Sequence, residues 1–503
     1  MRLLAIEFDQ YSWHIKSNFT KMEWIQSERG GRKLLLGGYM YVKQKDLADG
    51  YEGFECELRR NTRQCRAKIK VMGDNQFRDR TEHNHPPNHG RSNATKVKAA
   101  TKRRATESNE RPQQVLMATL CEVTEEGRAA LPSLNNMRRN IRRQRQENPN
   151  ALPIPMTVED LEIPVDQRLT LGGELFLYHD SGRNDPRRIL VFTTERNLQL
   201  LSTSESWFAD GTFKVVPTIF FQLWTIHATY EGHVVPLVYC LMLNKDQASY
   251  ARVLAALQEG RAFYPTRIMI DYEFAAKNAF SQAFPNAHVQ GCLFHLCQRI
   301  HERIKQEGLQ VLYNEDEEIR TQARMIGAIA FVPVEDTVEA FEALAGIARA
   351  ELQPVLNYFE DTYVGRPQRA AGHGRQAARF PPIMWNMFNA TLQGEFRTNN
   401  HVEGWHRRFQ IGVGADHPSF WQFLTCLKRE HAMNEVTIGQ AQAGMAPPAR
   451  RRVYQDTNLR LIRLVTNYHG RDIVDFLTLY VNTNFSVIWS CIEATTTPSL
   501  LTI

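Results

Sequence analysis

Three apolar runs rich in β-branched and aromatic residues, at 207–210, 218–229 and 233–243, predict consecutive strands. Tyr230-Glu231-Gly232 supplies a turn between the second and third, so the strands are expected to be antiparallel. Asp246 then precedes Tyr250, Val253, Leu254 and Leu257, whose spacing by threes and fours predicts a helix with one face in a core. A strand at 267–271, a helix at 273–284, a strand at 288–291 and a helix at 293–307 follow. The order is βββαβαβα, a mixed sheet with helical crossovers. Before it, 187–193 predicts a strand and 195–201 a short helix. After it, Phe341, Leu344, Ile347 and Ala348 are spaced like one helix face, 420–430 continues helically, and 453–480 repeats the helical spacing. Far upstream, 39–42, 54–58 and 67–71 read as short strands separated by turn residues. The expected fold is mixed α+β: a small β-rich unit, then a mixed-sheet domain with a helical insertion near 308–395.

Three acidic residues occupy special places in this pattern. Asp210 closes the first run and is followed by Gly211; Asp271 closes the strand at 267–271. Glu403 lies in Thr398-Asn399-Asn400-His401-Val402-Glu403, which opens an amphipathic segment. A carboxylate just past a buried strand faces a cleft with its backbone fixed. Two or three such groups can hold a pair of Mg²⁺ or Mn²⁺ ions about 3.5–4 Å apart. Strands often end in Asp before ordinary turns, so either aspartate taken alone reads first as a structural residue; the surrounding order of elements changes that. The element order places Asp210 and Asp271 on neighbouring strands, which is the ribonuclease H-like arrangement.

The stretch Trp207-Phe208-Ala209-Asp210-Gly211-Thr212-Phe213-Lys214 resembles the first catalytic block of Mutator-like element (MULE) transposases. So does Ile270-Asp271-Tyr272-Glu273-Phe274-Ala275-Ala276, followed by Phe284-Pro285 and Gly291-Cys292-Leu293-Phe294-His295. The closing Asn-Asn-x-x-Glu core is matched by Asn399 to Glu403. The resemblance covers roughly 205–435 and implies Asp210, Asp271 and Glu403 as a catalytic carboxylate triad. Glu395 is the competing third carboxylate, without the Asn-Asn context, while Asn399 and Asn400 suit the cap of a helix carrying Glu403. Cys292 and His295, three apart at a helix start, face the same way. They show two ligands where a closed zinc site needs four, which leaves metal ligation open beside packing or a DNA contact near the active site.

Cys56, Cys65, His83 and His85 are a second constellation. Thiolates with imidazoles in a segment too small for its own core are what a structural Zn²⁺ site uses. A His-x-His pair on a strand would put both rings on one face. The run closely resembles the FLYWCH zinc finger over about 22–88, with Tyr39 or Tyr41 at aromatic positions and Phe54 where that family usually has tryptophan. A disulfide between Cys56 and Cys65 is the alternative, and it leaves both histidines unexplained. The finger is expected to span 22–90, ending at His85-Pro86-Pro87-Asn88-His89-Gly90.

Composition changes the picture in one region. Residues 91–145 hold thirteen Lys or Arg against five Glu, whereas the whole 503-residue chain carries only +6. Arg138, Arg139, Arg142, Arg143 and Arg145 lie on an expected helix starting after Ser133, with another helix at 112–120. The pair reads either as a helix–turn–helix-like element whose arginines follow a phosphate backbone, or as a linker with a nuclear-localisation signal. Either reading places the segment 91–150 near DNA, in the nucleus. Eight irregularly spaced cysteines do not suggest a disulfide framework. The apolar run at 234–243 is about half a membrane span, and the first six residues are too short an apolar stretch for a signal peptide. No Walker loop or dinucleotide fingerprint is present, so no nucleotide cofactor is expected. Residues 441–452 read as a linker, 436–503 as a helical tail, and 490–503 carry no recognised signal. The expectation is a DNA transposase that binds element ends, with a homo-oligomer on those ends as the expected assembly, or a catalytically silent DNA-binding regulator derived from one.

Overall fold

Two sheets, of six and seven strands, organise this computed structural model. It describes residues 22–26, 31–47, 50–60, 64–74, 76–108, 110–146, 152–368, 374–449, 452–484, Trp489, Ile492 and Glu493. The first six residues and most of the 490–503 tail, singled out above, lie outside the described residues. The chain divides into two units, Met1–Pro153 and Ile154–Ile503.

In the first unit, β1 (Glu23–Gln26), β2 (Arg32–Leu36), β3 (Tyr39–Asp46), β4 (Glu52–Cys56), β5 (Lys68–Met72) and β6 (Gln76–Arg78) form an antiparallel meander. Alternation does the sorting: Ile69 and Val71 of β5 turn inward while Lys68 and Lys70 turn out, and Leu34, Leu36, Tyr41 and Phe54 join them in a small core. Gly37 and Gly38 both have positive φ, the conformation a two-residue hairpin loop needs. Four helices follow: α1 (His89–Glu107), α2 (Pro112–Leu120), α3 (Glu125–Ala130) and α4 (Leu134–Gln146). The Asn88 side chain caps α1 by accepting from the Arg91 N–H at 2.7 Å. Ser133 does the same for α4 through Asn136. Ala105, Val115, Leu116, Met137 and Ile141 form the core between helices. Sequence reading found α2 and α4 and missed α1, whose buried face is built mostly from Gly90, Ser92, Ala94 and Thr101 rather than large apolar residues.

The second unit's strands are β7 (Leu177–Asp180), β8 (Ile189–Phe192), β9 (Ser206–Thr212), β10 (Gln222–Tyr230), β11 (His233–Met242), β12 (Arg267–Ile270) and β13 (His288–Gly291). They lie in the order β13-β12-β9-β10-β11-β8-β7. β12 is parallel to both β9 and β13; the other pairings are antiparallel. Glu231 and Gly232, both at positive φ, close the β10–β11 hairpin. Successive residues of β11 serve different cores: Val238, Cys240 and Met242 on one face, Tyr239 and Leu241 on the other. Burial on both faces makes these strands read as continuous apolar runs.

The first face is covered with the help of α5 (Glu195–Thr203), α6 (Gln247–Gln258), α7 (Phe274–Ala283) and α8 (Leu293–Gln306). Then come α9 (Gln310–Glu315), α10 (Glu317–Ala328), α11 (Thr337–Ile347), α12 (Gln353–Phe359), α13 (Pro382–Trp385) and α14 (Phe388–Leu392). The second face receives Trp405 and Phe409 of α15 (Asn400–Val413) and Phe423 and Leu427 of α16 (Phe420–Gln442). The helices α17 (Arg452–Thr466) and α18 (Ile473–Asn484) finish the described chain. Three expectations need correction. Asp210 lies inside β9, two residues before its end. β10 starts at Gln222 because Pro217 and the turn after it hold 217–221 out of the sheet. Ile347 is exposed, so the apolar stripe of α11 ends at Leu344.

Arg188 is buried and donates to both Asp180 carboxylate oxygens, at 2.9 and 2.7 Å, and to the carbonyls of Val158 and Leu161. Burial works to raise the Asp180 pKa, but Arg188 and the Gly182 N–H outweigh it and hold it below the ordinary aspartate value. Arg188→Met should destabilise the fold by about 3–5 kcal/mol in urea unfolding, because it leaves Asp180 unpaired. The lowered pKa gives stability that is present above the unfolded aspartate value and lost as pH falls through the folded one. That acid dependence should be weaker in the variant.

Candidate active site and metal centre

Strand β9 and the end of β12 are adjacent and parallel, so each delivers one aspartate to the same sheet end. Asp210 faces Thr225 of β10 in register, and its Oδ1 accepts the Gly211 N–H at 2.7 Å. Asp271 is the residue after β12 and accepts the Tyr272 N–H. Glu403 is in the first turn of α15, and two histidines stand among the three carboxylates. His295, from the first turn of α8, has Nδ1 3.7 Å from Asp271 Oδ1 and Nε2 3.4 Å from Glu403 Oε1. His406 has Nδ1 3.5 Å from Asp210 Oδ2 and Nε2 3.3 Å from the Thr225 hydroxyl. Asp271 and Glu403 therefore flank the His295 ring, one at each nitrogen. Glu403 Oε1 and His295 Nδ1 are buried with no nitrogen or oxygen in hydrogen-bonding geometry beside them.

The electrostatics follow from this crowding. Burial, with Asp210 and Asp271 nearby, raises the Glu403 pKa despite His295 and His406. Burial works to raise that of Asp210 too, but His406 and His295 prevail and lower it. Burial disfavours a charged His295, yet the Cys292 sulfur and the Asp271 and Asp210 carboxylates hold its pKa up at about 10. Three carboxylates so placed offer hard oxygen ligands to divalent cations, and the orphaned Glu403 Oε1 is an acceptor still in need of one. The donor set fits such ions.

Glu395 is elsewhere: it pairs with Arg267 at the start of β12. Cys292 is fully buried with Phe208, Met269 and Val402, and its sulfur accepts the Asn399 N–H at 3.4 Å. Asn399 occupies the N-cap position of α15 without a side-chain capping bond. His406 escaped sequence reading, although Glu403 and His406 are three apart on one helix and so share a face. Gly291, just before Cys292, is pressed against a ring: a Cβ there would come within 2.5 Å of Tyr272 Cζ. Gly291→Ala should cost about 1–3 kcal/mol by overpacking. It should also displace Tyr272, and with it the neighbouring Asp271. Thermal unfolding together with a cleavage assay checks both effects.

In the first unit, Cys56, Cys65, His83 and His85 bring one ligand atom each within 4.8 Å of all the others. Among the described residues the three carboxylates stand farther apart than that. Cys56 Sγ is 3.3 Å from His85 Nε2 and Cys65 Sγ is 3.4 Å from His83 Nδ1, the separations that ligands of one tetrahedral zinc have, roughly 3–4 Å. Both cysteines are free thiols, which removes the disulfide alternative. The histidines are not on a strand, as the sequence suggested, but in the irregular segment beyond β6. Their other nitrogens are engaged: His83 Nε2 meets the Tyr41 hydroxyl at 2.8 Å, and His85 Nδ1 meets the Pro86 carbonyl at 3.0 Å. These partners leave His83 Nδ1 and His85 Nε2 as the lone-pair atoms facing the sulfurs. Tyr39 stacks on His83 with ring centroids 3.7 Å apart. Burial pushes the Cys56 thiol up to about 11 and, with His85 and Arg80, the His83 imidazole down to about 4. A neutral imidazole is ready to ligate, and the cysteines would give up protons on binding. The donor set fits zinc.

The arginines of α4 divide. Arg145 is turned inward, donating to the carbonyls of Ala105, Ser108 and Glu110 at 2.7–2.9 Å, and Arg138 binds Gln113 and Asn135. Arg139, Arg142 and Arg143 are exposed.

The geometry is that of a metal-binding finger unit and a carboxylate-lined mixed sheet. Residues 24–85 match the FLYWCH zinc finger domain, and residues 206–299, from β9 into α8, match the MULE transposase domain. The chain thus carries a MULE transposase domain with a FLYWCH zinc finger on its N-terminal side. Over 113 residues it is 25% identical to a transposase for insertion sequence element IS1201 from Lactobacillus helveticus. That stretch is 22% of this chain and 29% of the relative. Glu403 and His406 lie beyond the stretch matched to the transposase domain. Among the described residues no helix is long and apolar enough to cross a membrane.

Proposed function

We propose that this protein is a DNA transposase of the Mutator-like type, with a ribonuclease H-like catalytic domain over residues 205–435. The convergence of Asp210, Asp271 and Glu403 from β9, β12 and α15 carries the reading. The strand order β11-β10-β9-β12-β13, with the first three antiparallel and the last two parallel to β9, supports it. In this reading the three carboxylates hold two divalent cations, Mg²⁺ or Mn²⁺, which when bound lower the pKa of the attacking water or 3′-hydroxyl and stabilise the leaving oxygen. His406 fixes Asp210 against Thr225, and His295 offsets the charge shared by Asp271 and Glu403. The zinc finger (22–90) and the exposed arginines of α4 bind element-end DNA in the nucleus. Copies of the chain pair on two ends.

The test uses the full chain and a duplex carrying the terminal repeats of its element. Strand cleavage should need Mg²⁺ or Mn²⁺ and should vanish in Asp271→Asn, while DNA binding stays nearly intact. Binding without cleavage in the unaltered protein would instead favour a silent DNA-binding regulator.

A further inference from the structure

Beyond Asp210 the sheet ends abruptly in aromatic residues. Phe213 follows the last residue of β9 and is 41% exposed; Phe221 precedes the first residue of β10 and is 47% exposed. Their rings meet edge to face, with centroids 5.4 Å apart. With Thr218, Phe220, Lys245 and His417 they line an open recess of about 470 Å³, within the range of small-ligand pockets, roughly 300–1,000 Å³. The loop that displays them is pinned. His417 donates its N–H to the Lys214 carbonyl at 2.8 Å and places Nδ1 3.1 Å from the Val216 carbonyl, while the Phe221 N–H donates to the Met242 carbonyl at 2.9 Å. Two phenylalanines held at the surface by fixed backbone are therefore a built platform.

Charge indicates what rests on it. Lys245 is exposed, with its ammonium 5.6 Å from the centre of the Phe213 ring, and Lys214 is exposed on the same loop. Beneath the recess, a buried hydrogen-bond chain runs from the start of β10 towards the carboxylates. Gly211, next to Asp210, lies against the Gln222 side chain, which bonds Tyr250, whose hydroxyl donates to Glu273 at 2.9 Å. Lys245, Asp210 and Asp271 all act on the charge of Glu273. Aromatic faces flanked by ammonium groups, beside a phosphoryl-transfer centre, match a nucleotide whose base has left its stack. An apolar peptide would find no use for the two lysines.

We propose that the Phe213–Phe221 recess binds one unpaired base of a single-stranded DNA flank, with Lys245 on the adjoining phosphate. The inference rests on the transposase reading for its substrate, but its test needs no catalysis. The probes are two duplexes, one blunt and one ending in a three-nucleotide single-stranded tail with 2-aminopurine in the tail, titrated with the full chain in zinc-containing buffer without Mg²⁺. The tailed duplex should bind more tightly, with the 2-aminopurine fluorescence quenched by stacking. Phe213→Ala with Phe221→Ala should reduce tail binding about five- to a hundred-fold and restore the fluorescence, leaving blunt-duplex affinity unchanged. Phe213→Tyr should retain quenching. Lys245→Gln should lower the salt dependence by about one phosphate contact. Equal binding of the two duplexes, or quenching that survives the double alanine change, overturns the proposal; occupation by a peptide would give that result. Loss of Mg²⁺-dependent cleavage alongside an intact tail preference would remove the transposase reading and leave the recess standing.

Discussion

Glu403→Gln is expected to lower Mg²⁺-dependent strand cleavage on the order of 10³-fold, the scale seen when one preorganised electrostatic group is removed from an active site. Glu395→Gln should leave cleavage within a few-fold of the starting rate. The contrast is informative because the two residues are eight apart and both half-shielded, yet Glu395 is bound to Arg267 whereas Glu403 faces His295 beside Asp271. Equal losses in the two variants would mean that the third carboxylate has been misassigned. A stability measurement gives an independent check. The Glu403 pKa is raised in the folded protein, first by burial and then by the two aspartates. A raised carboxyl pKa makes its ionised form a destabilising one above that pKa, an effect that disappears as pH falls below the unfolded value. In chelator at neutral pH, Glu403→Gln should therefore unfold at a higher temperature than the unaltered protein, and the advantage should vanish on acidification. An interaction made for packing would show the opposite sign.

Removing zinc should have the larger effect on folding. Among the described residues, the main hydrophobic cluster of the first unit's sheet holds six buried side chains, a small core for a β unit of this size. Structural zinc contributes about 10–16 kcal/mol of apparent binding free energy at neutral pH. Cys65→Ser, or chelation, should thus abolish the cooperative unfolding transition of the first unit, followed by near-UV circular dichroism of the full chain. Tyr41→Phe removes only the partner of His83 Nε2 and should weaken zinc binding by about 10–100-fold while the finger still folds in excess metal. A finger that keeps its transition in excess chelator would rule out the metal assignment.

How much of this was legible in the sequence depended on the kind of signal. β11, β12, α6, α7 and α8 were found nearly residue by residue because each has an unbroken apolar run or a three-and-four repeat with a turn or cap beside it. Asp246, for example, precedes α6 and accepts the Ser249 N–H. α1 was missed because small residues make its buried face, and β1, β2 and β6 because they are short and charged or at an edge. The acidic residues and the Cys/His set stood out by type and place. His406 did not, because its meaning depends on α15 crossing the sheet beside β9, a long-range contact that no local pattern records. Arg145 erred the other way: its spacing suggested an exposed stripe, whereas three carbonyls at the end of α1 hold it inward.

The distance along the chain between α8 and α15 also bears on when the protein is complete during its own synthesis. Asp210, Asp271 and His295 are translated together, but Glu403 and His406 follow only after the helices α9 to α14. At roughly 5–20 residues per second, that interval lasts from several seconds to tens of seconds. A ribosome stalled anywhere within it releases a product with both aspartates and no third carboxylate. Truncated copies of this chain would therefore carry the finger and all seven strands of the second sheet without Glu403, and under the proposed function they would compete for the same DNA as the intact protein.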